Sequence, residues 1–132
     1  MMYSIGIDMT TISRIRKSLE KGSFAAHVFS EKELEMFFSE QKPAYRSLAA
    51  NFAAKEALGK ALGTGVRGFS LNEVSVLRNE AGMPYFEFSG RAADIMLKGG
   101  YNATVSLSHE GDSAIAVVLL EEGPKVKPLK AL

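Results

Sequence analysis

Cysteine and tryptophan are absent from this chain of 132 residues, and histidine occurs only twice. Without cysteine the protein can have no disulfide bond, no thiolate zinc site and no cysteine nucleophile, and its composition fits a reducing, cytoplasmic environment. The formal net charge is only +1, so electrostatic recognition must come from a local patch, and we expect neither nucleic acid nor a membrane as a partner. No stretch approaches the roughly 18 apolar residues of a membrane-spanning helix, and we expect no targeting segment.

What is present indicates one globular domain. Hydrophobic residues make up 46% of the chain and charged residues 23%, which is ordinary for a globular protein, and the length suits a single core. We assign residues 1–120 to this domain. Residues 121–132 are polar and rich in lysine, and we expect them to form a tail without regular structure.

The hydrophobic pattern predicts an α+β fold, in which a small, mostly antiparallel sheet packs with a long central helix and shorter helices. Strands are predicted around residues 3–9, 74–76, 85–88, 103–108 and 114–120, and helices after Thr11, after Ser30, from Pro43 to about Leu62, and after Ser89. A hairpin turn is predicted at residues 109–112. In the first strand, Asp8 lies on the polar face beside Gly6, where we expect room for a ligand. The last strand is apolar on both faces, so we expect both faces to be covered.

The central helix carries Glu56 and Lys60 one turn apart on a largely apolar surface. At about 100° per residue the two side chains point the same way, and an ionised glutamate there needs a cation or a donor. A structural ion pair between them is one interpretation. If Asp8 lies nearby, however, the two carboxylates suit Mg²⁺, and Lys60 can hold a phosphate, which together indicate phosphoryl transfer.

Two other motifs are less specific. Residues 63–68 match G-x-G-x-x-G, but they end a helix instead of opening one, so we reject a dinucleotide-binding fold. Gly63 and Gly65 could still let the backbone approach a phosphate, although a helix-ending turn explains them equally well. The Ser-His pair at 108–109 and Asp112 suggest a hydrolase triad only weakly, because adjacent residues of a strand face opposite sides.

One local basic patch stands out on this nearly neutral chain. Three cations fall on the side of the first helix opposite its apolar residues, and they are Arg14, Lys17 and Lys21. From the residues alone, two functions remain open besides transfer to a protein. One is another Mg²⁺-dependent enzyme acting on a nucleotide or a pyrophosphate, and the other is a non-catalytic docking module that uses this basic stripe.

Three segments taken together resemble the holo-acyl-carrier-protein synthases, the small group of 4′-phosphopantetheinyl transferases. They are Gly-Ile-Asp at 6–8 with Arg-Ile at 14–15, Phe-Ala-Ala-Lys-Glu-Ala at 52–57 with Lys-Ala at 60–61, and Ser-Leu-Ser-His at 106–109. The likeness covers roughly residues 3–120. Asn51 stands where many relatives have arginine, so a cation such as Arg46 would have to replace it, or coenzyme A would bind more weakly.

The resemblance implies the phosphopantetheinyl transferase fold and a reaction in fatty acid biosynthesis. In it, 4′-phosphopantetheine moves from coenzyme A to a serine hydroxyl of apo acyl carrier protein, and adenosine 3′,5′-bisphosphate is released. Asp8 and Glu56 would ligate Mg²⁺ and act in catalysis with Lys60, and the base would be Glu56 or a metal-bound water. Contacts with coenzyme A are implied for Lys55, Lys60, Gly63, Gly65, Ser108 and His109.

The same resemblance implies two kinds of protein partner. The basic stripe of Arg14, Lys17 and Lys21 would dock an acidic helix of the carrier protein, as expected for a local patch on a nearly neutral chain. The chain would also form a homotrimer, with its sites at the subunit boundaries. His109 would then belong to a site whose Asp8 and Glu56 come from the neighbouring subunit.

Overall fold

The protein was analysed as a computed structural model that describes residues 2–39 and 41–124. Its elements are β1 (Met2–Thr11), α1 (Ile12–Leu19), α2 (Phe24–Val28), α3 (Glu31–Phe37), α4 (Tyr45–Leu62), a 3-10 turn (Leu71–Glu73), β2 (Val74–Arg78), β3 (Pro84–Phe88), α5 (Gly90–Gly99), β4 (Tyr101–Glu110) and β5 (Ser113–Glu122). An antiparallel sheet has the strand order β1-β5-β4, and β2 pairs with β3 in a separate hairpin. Within these ranges no helix is both long and apolar enough to cross a bilayer. The α+β prediction is confirmed.

The helices differ from the prediction at two points. Helix α4 begins at Tyr45 rather than at Pro43, and Ala44 precedes it with non-helical backbone angles. Helix α2 and the 3-10 turn were not predicted, because elements of five and three residues are too short to show a helical period.

Strands β4 and β5 of the sheet are longer than predicted. Strand β4 continues through Glu110, so His109 lies in the strand and not in the turn. Strand β5 continues through Glu122, two residues into the predicted tail, because Glu122 pairs with Met2 on one side and with Tyr101 on the other. Residues 125–132 of that tail lie outside the described residues.

Helix α4 packs on the inner face of the sheet through small side chains. Ala53, Ala57 and Ala61 are buried in one cluster with Ala116 and Val118 of β5. Alanine allows the helix axis to approach the strands closely, which explains why α4 is apolar around most of its circumference. A second cluster packs the first half of α4 against α1, α2 and α3.

The apolar side chains of β1 point away from α4 and into solvent. Together with those of β5 they form a surface that we call the outer apolar face, which consists of Tyr3, Ile5, Ile7, Met9, Ile115, Val117 and Leu119. The four β1 residues are 58–69% exposed, and the register places Ile5 opposite Leu119 and Ile7 opposite Val117. Among residues 2–39 and 41–124, α4 covers the inner face of β5 and no element covers the outer one, so the cover that we expect there stays a prediction.

Gly6 is the point at which α4 touches β1. A Cβ atom on Gly6 would lie 1.9 Å from the carbonyl oxygen of Ala57 and 2.8 Å from the backbone nitrogen of Ala61. The prediction that Gly6 leaves room for a ligand is wrong, because the backbone of α4 fills that space. The close approach instead brings Asp8, two residues further along the same face, against α4.

Gly6→Ala is expected to destabilise the protein by about 1–3 kcal/mol or more, because the obstructing atoms belong to a helix backbone that cannot rotate away. Gly22→Ala is the matched control, since a Cβ there meets nothing within 4 Å and the change should be neutral or slightly stabilising. Urea denaturation of the three proteins measures the difference. Equal stability of the two variants would contradict this packing.

Candidate active site

Asp8, Glu56 and Lys60 meet where β1 runs beside the second half of α4. The Nζ atom of Lys60 donates to Asp8 Oδ1 at 3.1 Å and to the carbonyl oxygen of Ile7 at 2.9 Å. The helical ion pair between Glu56 and Lys60 is not found among the described residues, because Lys60 reaches across to β1 instead. The interpretation of Glu56 and Lys60 as a structural ion pair is therefore wrong.

This arrangement leaves the Glu56 carboxylate without a hydrogen bond or ion pair of its own within the described part of the chain. Burial of the side chain raises the pKa of Glu56, the negative charge of Asp8 raises it further, and Lys60 acts in the opposite direction. A glutamate whose ionisation is opposed by burial and by a neighbouring carboxylate creates a demand for a cation.

The donor set of this site fits Mg²⁺. Oxygen ligands with no imidazole or thiolate favour hard cations, and Mg²⁺ commonly takes only one or two carboxylates plus substrate oxygens and water. Residues 2–39 and 41–124 contain no group of three or more histidine, aspartate or glutamate side chains that could cage a metal by themselves. Asp8 and Glu56 would therefore hold the ion together with further oxygens, supplied by water or by a substrate.

The end of α4 forms an open corner next to Lys60. Gly63 ends the helix with a φ of +80°, and its N–H donates to the carbonyl oxygen of Lys60 at 3.0 Å. Gly65 has a φ of +65°, and its N–H donates to the carbonyl oxygen of Gly59 at 2.9 Å. A Cβ atom at Gly63 or Gly65 would meet nothing within 4 Å. The glycines are thus needed for the turn, and the space beside them is free for a ligand.

Lys55 lies on the opposite side of α4 and is fully buried. Its Nζ atom donates to Glu33 Oε1 at 2.5 Å, to the carbonyl oxygen of Val28 at 2.6 Å and to that of Leu71 at 3.1 Å. Burial outweighs the attraction of Glu33 and lowers the pKa of Lys55 to about 8. The prediction that Lys55 contacts coenzyme A disagrees with this structure, because all three ammonium protons are used inside the protein.

Asn51 belongs to the same buried network. Its side-chain amide donates to Glu33 Oε2 at 2.8 Å and to the carbonyl oxygen of Val76 at 2.9 Å. Its side-chain oxygen accepts from Arg78 Nη2 at 2.8 Å. The cation beside position 51 is therefore Arg78, whereas the replacement of a phosphate contact by a cation such as Arg46 stays a prediction. Sequence reasoning missed it because Arg78 lies on β2, 27 residues away.

Ser108 and His109 do not join the Asp8 cluster in the same chain. Ser108 is paired with Ile115 and shares the outer face of the sheet, whereas His109 is paired with Ala114 at the exposed end of β4. Strand β5 separates β4 from β1.

The predicted basic stripe is exposed and lies near the site. Arg14, Lys17 and Lys21 are all exposed, and none of them forms an ion pair within residues 2–39 and 41–124. Helix α1 follows β1 directly, so Arg14 is only six positions from Asp8 in the chain. These cations form a positive surface on the helix that directly follows the strand of Asp8.

Comparison with known families and proteins gives a consistent result. The family model described as the 4′-phosphopantetheinyl transferase superfamily matches residues 4–118. The chain is 41% identical over 122 residues to a protein of Treponema denticola named holo-[acyl-carrier-protein] synthase. The aligned stretch covers 92% of this chain and 99% of that protein. A protein of the same name from Clostridium perfringens is 41% identical over 127 residues, with 92% and 95% covered.

Solved structures resemble the fold over almost its whole length. The crystal structure of holo-[acyl-carrier-protein] synthase from Neisseria meningitidis matches with a TM-score of 0.79 and 33% identity, covering 89% of this chain and 97% of that one. The synthase from Helicobacter pylori, solved in complex with coenzyme A, matches with a TM-score of 0.74 and 29% identity, covering 89% and 99%. The predicted phosphopantetheinyl transferase fold is confirmed.

Proposed function

The chain belongs to the 4′-phosphopantetheinyl transferase superfamily, and from that premise we propose that it is a holo-acyl-carrier-protein synthase. It transfers 4′-phosphopantetheine from coenzyme A to a serine hydroxyl of apo acyl carrier protein and releases adenosine 3′,5′-bisphosphate. The observation that carries this proposal is the contact of Asp8 with Lys60 beside Glu56, in a chain of which 92% matches a protein named holo-[acyl-carrier-protein] synthase. We place the reaction in the cytoplasm, within fatty acid biosynthesis.

The residues of the site suit each part of this transfer. The serine oxygen attacks the phosphorus that bears pantetheine, and the bond from that phosphorus to the bridging pyrophosphate oxygen breaks. The serine proton would pass to Glu56 or to a water bound to the metal, because a carboxylate or such a water can act as the general base. Lys60 is 56% exposed and can neutralise the negative charge of the leaving bisphosphate. Mg²⁺ held by Asp8 and Glu56 would polarise the pyrophosphate.

The test is whether the carrier protein is required for the release of adenosine 3′,5′-bisphosphate from coenzyme A. A transferase releases it only when apo carrier protein is present, and not with a carrier whose acceptor serine is alanine. Another Mg²⁺-dependent pyrophosphate enzyme would release product without any carrier protein. A non-catalytic docking module would release none under either condition, and both of these outcomes would refute the proposal.

We also propose that the basic stripe of Arg14, Lys17 and Lys21 docks an acidic surface of the carrier protein. The stripe is exposed and unpaired among the described residues, and it begins close to Asp8. Exposed charges of this kind raise association rates and set orientation more than they contribute to fold stability.

Lys17→Glu is therefore expected to raise the KM for the carrier protein about tenfold, with little change in the KM for coenzyme A. Lys98→Glu is the matched control, because Lys98 is equally exposed on α5 and the charge change is the same. The effect of Lys17→Glu should shrink at high salt, where exposed charges are screened. Equal KM values for the two variants would move the docking surface away from α1.

We further propose a homotrimer in which a second subunit covers the outer apolar face. Single exposed apolar residues are common, but a contiguous patch formed by two paired strands is typical of an interface. Ser108 lies on this same side of the sheet, so the neighbouring subunit would come close to it. Contacts of Ser108 and His109 with coenzyme A would then serve the neighbour's Asp8 site.

Ile5→Asp is expected to dissociate the assembly and to reduce activity with it, because a carboxylate would be buried at the centre of the outer apolar face. Leu97→Asp is the control, since Leu97 on α5 is 59% exposed and lies outside that face. Sedimentation velocity measures the assembly. A fully active wild-type monomer, or an Ile5→Asp protein that stays trimeric, would contradict the proposed interface.

A further inference from the structure

The turn between β4 and β5 holds the N-terminus of α1. Asp112 Oδ1 accepts the backbone N–H of Ser13 at 3.0 Å, and Asp112 Oδ2 accepts the Ser13 hydroxyl at 2.5 Å. The carbonyl oxygen of Asp112 also accepts the backbone N–H of Ile12 at 2.8 Å. One residue in the hairpin thus binds both of the first two residues of α1.

Helix α1 has no local cap that could do the same work. Thr11 occupies the position before the helix, but its side chain makes no capping hydrogen bond, and the first turn contains no acidic residue. A helix of eight residues is marginal by itself, and its first N–H groups need acceptors. The carboxylate of Asp112 supplies the acceptor and also the negative charge that the N-terminus of a helix favours.

This cap fixes the start of the basic stripe. Ser13 directly precedes Arg14, and Lys17 lies one turn further on the same side of α1. The anchor comes from the sheet that also carries Asp8, because Asp112 lies in the turn between β4 and β5. Asp112 is therefore bound to α1 and is not part of a triad with Ser108 and His109.

We propose that Asp112 is a positioning residue for the carrier protein, which sets the direction of Arg14 and Lys17 relative to the Asp8 site. This inference rests on the proposed function and on docking at α1. Loss of the cap would let the first turn of α1 fray, so the docking cations would lose their fixed place. The cluster of Asp8, Glu56 and Lys60, built from β1 and α4, would keep its geometry.

Asp112→Ala is expected to raise the KM for apo carrier protein about fivefold, the factor that corresponds to loss of a typical N-cap, with kcat and the KM for coenzyme A unchanged. Asp112→Asn should restore the wild-type KM, because asparagine caps about as well as aspartate. Glu110→Ala is the control, since Glu110 is exposed beside the same turn.

The results separate this inference from the function on which it rests. If Lys17→Glu raises the carrier KM and Asp112→Ala does not, docking at α1 stands and the role of Asp112 is refuted. If neither variant changes the carrier KM, docking at α1 is refuted and the role of Asp112 with it. If Asp112→Ala raises both KM values or lowers kcat, the residue supports the fold only, and the inference is again wrong.

Discussion

Asp8→Asn and Glu56→Gln should each lower the turnover of apo carrier protein by at least about a hundredfold, the scale on which removal of a single electrostatic contact slows an enzyme. Each substitution keeps the size of the side chain but removes one of the two negative charges that suit Mg²⁺. Glu56→Gln also removes one of the two proposed acceptors of the serine proton, the other being a metal-bound water. The measurement is kcat with saturating coenzyme A and carrier protein.

Asp94→Asn serves as the matched control. Asp94 is exposed on α5, away from the site, and its substitution is the same chemical change as Asp8→Asn. Urea denaturation should show that all three variants remain folded, since Asp8 and Glu56 lie outside the buried core. Excess EDTA should reduce the wild-type rate to a similar extent. Full activity of Glu56→Gln would show that the reaction takes place elsewhere.

Lys55→Met is expected to cost about 3–5 kcal/mol of the free energy of unfolding, the range observed when one partner of a buried ion pair is removed. The substitution leaves the buried Glu33 carboxylate without its cation, and it takes the donor away from the carbonyl oxygens of Val28 and Leu71. The double variant Lys55→Met with Glu33→Gln should regain part of this loss, because no buried charge is then left unpaired.

Lys32→Met provides the comparison that isolates the effect of burial on the contribution of an ion pair to stability. Lys32 pairs with Glu87 on the surface, where the two side chains are 63% and 45% exposed, and such pairs contribute about 0–1 kcal/mol. The same substitution at positions 32 and 55 should therefore differ several-fold in its effect on urea denaturation. Similar losses at both positions would mean that the network of Glu33, Asn51 and Lys55 does not hold α4 in place.

The parts of the site that lie on one element could be predicted from the sequence. Helical spacing places Glu56 and Lys60 on one side of α4, and the polar face of the first strand suggests Asp8, although spacing alone does not show that the two carboxylates meet. The contact of Lys60 with Asp8 spans 52 positions, and no local pattern specifies a contact of that range. The same limit explains the error at Lys55, whose partner Glu33 is 22 positions away on another helix.

The alternation of apolar and polar residues correctly predicts strand β1, but it does not show which face of the strand packs against the rest of the chain. A period of two identifies the residues that share a face. The apolar face of a strand normally packs on the core, because burial of apolar side chains is favourable. Here the small polar face packs against α4, because Gly6 allows a closer approach than any side chain would. The apolar face of β1 then remains free in a single chain, which is understandable if a second copy covers it.

The central claim is tested most directly by the intact mass of apo acyl carrier protein before and after incubation with the wild-type chain, coenzyme A and Mg²⁺. We predict that the carrier gains the mass of one phosphopantetheine group, on its acceptor serine, and gains nothing when Glu56→Gln replaces the wild type. An unchanged mass with the wild-type chain, or consumption of coenzyme A without that gain, would contradict the proposed transferase.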